Sequence, residues 1–355
     1  MTATRTTIGA VLVLVLVALA SVPFWASGGV LFLFGLFLIN GLFALSWHLL
    51  FGYTGLASFG HAGFFAIGAY LVGAGLRFDF PVPYLVLLLA ASAFGAMCAY
   101  MFGQIALGRL SGIFLAVLTV AFSEIVRKII SYTPGLGGED GLSNIRRPVL
   151  EFGILAVDVS SSRGFFLFML VAVGLATGGI WWLVHSRYGR AFACIRDNPE
   201  RAEFLGISLK SYRLLSFVIS GGTAAFAGGL FAPWTQIVTL DEIHWLMSLQ
   251  PILNTFLGGL GSFWGPYVGA AAFMLLSHLT RTWAGMAELL VGGSLLFVIL
   301  LAPTGIIGGI TWLLGRVKAS REGSARPERP ELVPSGAAAE PRQDEKRYAT
   351  RVGSP

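Results

Sequence analysis

Residues 30–50 read VLFLFGLFLINGLFALSWHLL, a run without a single charge. A segment apolar on every side has no place on the surface of a water-soluble domain, and about 20 such residues in helical form cross a bilayer. Comparable runs recur at 9–26, 62–76, 83–103, 110–130, 164–184, 213–232, 246–260, 264–281 and 286–302. They are continuous rather than alternating, which excludes a transmembrane barrel. Charged residues make up only 12% of the 355, against about 25% in an ordinary soluble domain. The pattern predicts an all-α polytopic membrane protein with about ten transmembrane helices, some of them short or broken.

Lys and Arg set the orientation. With the N-terminus inside, 17 of the 24 fall on the cytoplasmic side, six of them in 185–213, and none in 233–247. Both termini are therefore expected in the cytoplasm of a bacterial-type inner membrane. Arg5, the apolar stretch and ALAS at 18–21 have the outline of a signal peptide. Apolar character running on through Phe24 and Trp25 predicts an uncleaved first helix instead. The formal charge of +6 collects beside membrane spans, which points to lipid rather than nucleic acid. Cys98 and Cys194 have no spacing suited to a metal or redox pair. Composition divides the chain into a membrane domain, 1–315, and a polar segment, 316–355, expected as a disordered cytoplasmic tail.

The longest charged stretch between spans is HSRYGRAFACIRDNPERAEFLGISLKSYR, 185–213. Asn198 is placed to cap a helix with Pro199 at its first position, Glu200 at its positive end and Gly206 at its stop. So short a helix needs a partner to pack against. Ala202, Phe204 and Leu205 form a small apolar knob on it, rimmed by Arg196, Arg201 and Glu203. The plain alternative is a basic loop that only fixes topology.

Glu200, Ala202 and Gly206 stand at the E-x-A-x-x-x-G spacing of the loop with which ABC-importer permeases dock on their ATPases; Arg201 departs from its usual middle alanine. The stretches GYTGLASFGHAGFFAIGAY, GIFLAVLTVAFSEIVRKI, GGEDGLSNI and LGGLGSFWGPYVGAAAF resemble the branched-chain amino acid permease family of the LivM type. The resemblance runs in order over roughly 30–310. It implies one half of a permease pair working with a LivH-type subunit, two ABC ATPases and an extracytoplasmic binding protein. It also implies that Arg196, Asp197, Asn198, Glu200, Arg201, Ala202, Leu205 and Gly206 form an ATPase-coupling helix.

GYTGLASFGHAGFFAIGAY is crowded with glycine, the residue that most weakens a helix interior after proline. Transporters interrupt helices where a pathway passes. Gly52, Gly55 and Gly60 are expected to break the helix, with Ser58 capping its resumption near His61. A second break, GGLGSFWGP at 258–266, repeats the G-L-x-S-F of 55–59 and includes Gly259 and Gly261. Both are read as bent or re-entrant elements of the gate. His61 is either a functional group of the pathway or a neutral imidazole bonded to backbone freed by the glycines. In TPGLGGEDGLSNI, 133–145, Gly138, Glu139 and Asp140 make an acidic turn, part of the outer gate or simply solvated. Glu124 is expected to pair locally with Arg127 and Lys128. Asn40, Gln250 and Asn254 suit either a zwitterion or helix–helix hydrogen bonding.

None of the four lysines follows a glycine, so there is no phosphate loop of the G-x-x-x-x-G-K-[ST] form. No cofactor or catalytic cluster is indicated. The sequence thus predicts a non-enzymatic permease subunit coupled to separate ATPases, for branched-chain amino acids or a related small polar solute. The competing class is a self-sufficient ion-coupled transporter, which would need intramembrane acids that the spans almost lack.

Overall fold

Backbone in a hydrocarbon environment satisfies its own hydrogen bonds most simply as helix, and the described residues of the computed structural model are mostly helical. Described are residues 2–107, 112–148, 150–152, 155–157, 160–280, 292–293 and 305–309. All belong to the unit Met1–Trp312; Leu313–Pro355, the second unit and site of the expected tail, lies outside the described residues, as does most of the run at 286–302.

The helices are α1 (Thr2–Trp25), α2 (Gly28–Thr54), α3 (His61–Arg77), α4 (Tyr84–Ala106), α5 (Ile113–Ser131), α6 (Ser162–His185), α7 (Arg187–Asp197), α8 (Pro199–Phe204), α9 (Leu209–Thr235), α10 (Leu249–Gly258) and α11 (Gly265–Thr280). Between α5 and α6 the strands β1 (Leu150–Phe152) and β2 (Leu155–Val157) pair antiparallel, a small hairpin outside the helical runs. Four helices, α2, α4, α6 and α9, are long and apolar enough to cross a membrane; Leu14–Trp25 and Gly265–Leu279 are shorter apolar segments. At 1.5 Å per residue α10 reaches only about 15 Å, half a bilayer core.

The 27-residue α9 is the central post, with α2, α3 and α4 packed along it. Small residues set that packing. A side chain at Gly68 would run into the Ala225 carbonyl, and one at Gly228 into the Phe65 carbonyl, so α3 and α9 touch backbone to backbone. Pro233 lies inside α9 and has no N–H for the Gly229 carbonyl. The Tyr84 hydroxyl donates to that oxygen instead, at 3.4 Å, tying α4 to the post. Trp234 fills the space beside it, stacked on Phe32 and Phe165 and donating to the Phe32 carbonyl at 3.1 Å. Arg147 lies over the Trp234 ring at 5.6 Å.

The two ends of α9 lie about 40 Å apart and carry different furniture. The end where α9 begins holds α7 and α8. Beyond its C-terminus the 133–145 segment meets the chain at Gln236 and Val238.

Candidate functional site

The break after α2 is shorter than the glycines suggested. Gly52 stays helical, as do Tyr53 and Thr54, because its missing side chain makes room for the His48 imidazole. The chain leaves the helix at Gly55, whose φ of +72° is open to glycine at little cost, and resumes at His61. Ser58 does not cap α3. The N-cap is Gly60, no side chain caps it locally, and the buried Ser58 hydroxyl has no partner among the described residues. Neighbouring helices supply the acceptors. Thr119 Oγ1 on α5 accepts from the Phe59 and Gly60 N–H groups at 3.0 and 3.3 Å, and Ser248 Oγ accepts from Ala62 N–H at 2.9 Å. Trp47 Nε1 donates to the Ser58 carbonyl at 2.8 Å. A side chain at Gly60 would collide with the Thr119 carbonyl, so α5 lies directly on the break.

His61 is buried, stacked on Phe43 at 5.6 Å. Its Nε2 lies 2.9 Å from Ser46 Oγ and 3.4 Å from Ser220 Oγ, while the Ser220 hydroxyl donates to the Ser46 carbonyl at 2.6 Å. The partners are therefore side-chain hydroxyls of α2 and α9, not backbone freed by the glycines. Ser46, Thr119, Ser220 and Ser248 stand singly in apolar runs, and one small hydroxyl carries no sequence signal of what it meets.

The charged stretch folds as two helices. α7 buries Gly189, Ala191, Phe192 and Ile195, a helical stripe, and Phe192 joins Leu45, Leu49, Leu183 and Val184 beneath α2 and α6. Ser186 caps it through the Tyr188 N–H at 3.1 Å. α8 has the expected ends: Asn198 Oδ1 accepts from Arg201 N–H at 2.9 Å, and Pro199 occupies the first turn. It closes with Gly206 at φ +78°, Gly206 N–H on the Glu203 carbonyl and Ile207 N–H on the Ala202 carbonyl. The expected knob is different. Ala202 is fully buried in its own chain, because it faces inward across α8; Phe204 and Leu205 stand 91% and 73% exposed. Glu200, Arg201 and Glu203 are also exposed.

Arg196 joins these two regions. It donates from Nη1 to the Gly52 carbonyl at 2.6 Å, pairs with Asp197 at 3.0 Å, and lays its Cγ beside Gly55. The end of α2 and the end of α7 thus share one guanidinium.

The 133–145 segment forms two short 3₁₀ turns, Pro134–Leu136 and Gly138–Asp140, with Gly137, Gly138 and Gly141 at positive φ. It is no free turn. Leu142 and Val238 exchange backbone hydrogen bonds at 2.7 and 2.9 Å, and Leu142 and Ile145 are buried against α3. Glu139 and Asp140 project outward. Glu124 pairs with Arg127 at 2.8 Å as expected, whereas Lys128 lies over Tyr132. The second break begins at Gly259, φ +114°; Gly261 is exposed, with open space where a side chain would go. α10 and α11 lie against each other at Gly258, Gly265 and Gly269. Arg196 and Gly55 come together; Gly138, Glu139 and Asp140 belong to the opposite end.

Four long apolar helices, a polar helix pair packed against the end of α2, and an acidic turn held at the other end of α9 describe a polytopic membrane protein. Residues 29–302 match the family described as branched-chain amino acid transport system, permease component, and the chain belongs to that family. It is 29% identical to the high-affinity branched-chain amino acid transport system permease LivM of Escherichia coli K12, over 83% of this chain and 74% of that one. It is 27% identical to a "probable branched-chain amino acid transport permease protein LivH" of Methanocaldococcus jannaschii, over 54% and 59%. To the autoinducer 2 import system permease LsrC of an Enterobacter species it is 28% identical, over 60% and 58%. No solved structure matches. The protein is a multi-pass inner-membrane permease.

Proposed function

We propose that this chain forms half of the translocation pathway of an ABC importer for branched-chain amino acids, paired with a LivH-type permease. Two ABC ATPases bind in the cytoplasm and an extracytoplasmic binding protein delivers the solute. Residues 1–315 are the membrane domain, with about ten spans and both termini cytoplasmic; 316–355 is a cytoplasmic tail. The segment from Arg196 to Gly206 is the coupling element. Gly55, Ser58, Gly60, His61, Gly259 and Gly261 belong to the inner gate, and Gly138, Glu139 and Asp140 to the outer one. One observation carries this reading: Arg196 holds the Gly52 carbonyl at 2.6 Å, so a push on α8 reaches the α2–α3 break through a single side chain.

The test is uptake in liposomes. The complex with its partner permease, ATPases and binding protein is expected to accumulate leucine only with ATP. The chain alone, under an imposed proton or sodium gradient, is expected to accumulate none. Accumulation by the chain alone overturns the importer in favour of an ion-coupled transporter.

A further inference from the structure

Small residues on a membrane helix let a neighbouring helix close upon it. Gly174 and Gly178 of α6 stand where such a neighbour belongs, yet both are exposed, with nothing within 4 Å of where a side chain would go. What faces them is a cavity of about 400 Å³ between α1, α2, α6 and α11. Its wall on α6 is one helical stripe: Leu170, Gly174, Thr177, Gly178 and Trp181. Val15, Leu16 and Trp181 are exposed at its edge, so it opens on the outside of the bundle.

The two hydroxyls of the wall answer each other, Thr177 Oγ1 and the Tyr267 hydroxyl lying 2.5 Å apart; the rest of the lining is aliphatic, aromatic or glycine. A polar solute finds little to bind there. Far smaller apolar cavities stay dry and take up hydrocarbon. From Leu170 to Trp181, α6 rises about 16 Å, the depth of one leaflet in a hydrocarbon core about 30 Å thick. Trp181 and Trp182 lie one turn from the end of α6, both exposed, as aromatic side chains at a membrane interface are. Beyond them the surface turns basic. His185 continues the same stripe, its ring 4.3 Å from that of Trp181 and its Nδ1 2.7 Å from the Trp181 carbonyl. α7 then presents Arg187 and Arg190, both exposed and without an acidic partner among the described residues.

We propose that this cavity binds the acyl chain of one anionic phospholipid from the leaflet on the α7 side, with its phosphate against Arg187 and Arg190. The chain takes the place of the missing helix beside Gly174 and Gly178. Each basic residue next to a membrane span raises the local preference for anionic lipid by about fivefold. Walls from four helices distinguish this lipid from the bilayer around it. Seated there, it joins α6, which leads into α7, to α11 behind the second break. The site stands whether or not the chain is an importer.

The experiment uses the full chain in detergent, with phosphatidylglycerol and phosphatidylcholine of equal chain length offered in equal amounts. Native mass spectrometry counts the lipids retained. The parent is expected to keep one phosphatidylglycerol, preferred at least fivefold over phosphatidylcholine. Gly174→Leu with Gly178→Leu fills the cavity from open positions and is expected to retain at least fivefold less, at an unchanged lipid-free melting temperature. Gly179→Leu, equally open but outside this wall, is expected to retain as much as the parent. Arg187→Gln with Arg190→Gln is expected to erase the headgroup preference while total lipid retained is unchanged. Parent-like retention in the double leucine variant, or an equal loss in Gly179→Leu, overturns the site; no headgroup preference in the parent overturns the anionic assignment. In parallel, phosphatidylglycerol carrying a diazirine at mid-chain is photolysed with the parent, a reading that needs no variant to fold. Labelled peptides are expected from 170–181 and 264–267, and labelling confined to other segments overturns the proposal.

Discussion

Arg196, the last residue but one of α7, donates a 2.6 Å hydrogen bond to the carbonyl of Gly52, in the last turn of α2. The carbonyls of a helix C-terminus lack intrahelical donors and carry partial negative charge, so a guanidinium is the fitting partner. Asp197 holds the same guanidinium from the other side. Arg196 is therefore a pin between a polar helix and the end of a membrane helix.

Removing that pin should uncouple before it unfolds. Hydrogen bonds to charged groups are worth about 1.5–3 kcal/mol, and the 43% exposure of the Arg196 side chain places this one at the low end. Arg196→Leu is expected to reach the membrane in parent amounts and to lose about tenfold in ATP-driven leucine uptake. Arg196→Lys, which keeps the charge but not the fork shared with Asp197, should retain part of it. Uptake assays normalised to membrane-inserted protein decide the matter.

The two glycines of the first break should behave differently. Gly60 is a packing glycine: any side chain there meets the Thr119 carbonyl, and overpacking of this kind costs about 1–3 kcal/mol. Gly60→Leu is therefore expected to lower the melting temperature of the purified protein. Gly55 is a conformational glycine, exposed, with its nearest neighbour the flexible Arg196 Cγ at 3.6 Å. Gly55→Leu meets a left-handed backbone that costs an L-residue about 1–2 kcal/mol. The strain falls beside the Arg196 contact, so uptake is expected to fall by more than stability does. Differential scanning fluorimetry and uptake on the same preparations separate them.

His61 has two hydroxyls within reach of one nitrogen. His61→Gln can still offer one hydrogen bond in that place, and is expected to keep most of the uptake. His61→Leu removes the imidazole from Ser46, whose hydroxyl still donates to the Phe43 carbonyl at 2.7 Å, so the lost hydrogen bond should cost about 0.5–1.5 kcal/mol. It is expected to lower the melting temperature. Abolished uptake in a well-folded His61→Gln would assign the imidazole a direct role in transport.

What the sequence made legible follows from how local each cause was. Asn198, Pro199 and Gly206 act on their own neighbours, so α8 was readable to the residue. Apolar runs without charge act through their length, so α2, α4, α6 and α9 were readable as spans. Ser58 was misread because its rivals for the amides around the start of α3, Thr119 and Ser248, lie far away in sequence. Gly52 was misread because a glycine that breaks a helix and one that admits an imidazole look alike in a string. Ala202 was misread for the same kind of reason: on so short a helix, which side faces inward is set by α7 and α9. The amide of Asn254 was visible as polar, but only the fold shows that nothing among its described neighbours answers it.

The exposure pattern on α8 sharpens the test of coupling. Phe204 and Leu205 are open to solvent at the end of a helix only six residues long, beside the exposed charges Glu200, Arg201 and Glu203. Burying a side chain of that kind against a partner yields about 1.5–3 kcal/mol, so the pair together can change a subunit affinity by a hundredfold or more. Phe204→Ser with Leu205→Ser is expected to leave the melting temperature of the permease unchanged and to abolish co-purification of the ATPases. Ala202→Trp should do the reverse of a docking variant: the side chain has no room inside its own chain, and the permease itself is expected to lose stability. Glu203→Gln should change little, since exposed ion pairs are worth about 0–1 kcal/mol. Scanning fluorimetry and a pull-down with tagged ATPase read the two effects separately. If the Phe204→Ser, Leu205→Ser protein still binds the ATPases and transports leucine like the parent, α8 is only a connector, and the docking surface must lie elsewhere on the cytoplasmic face.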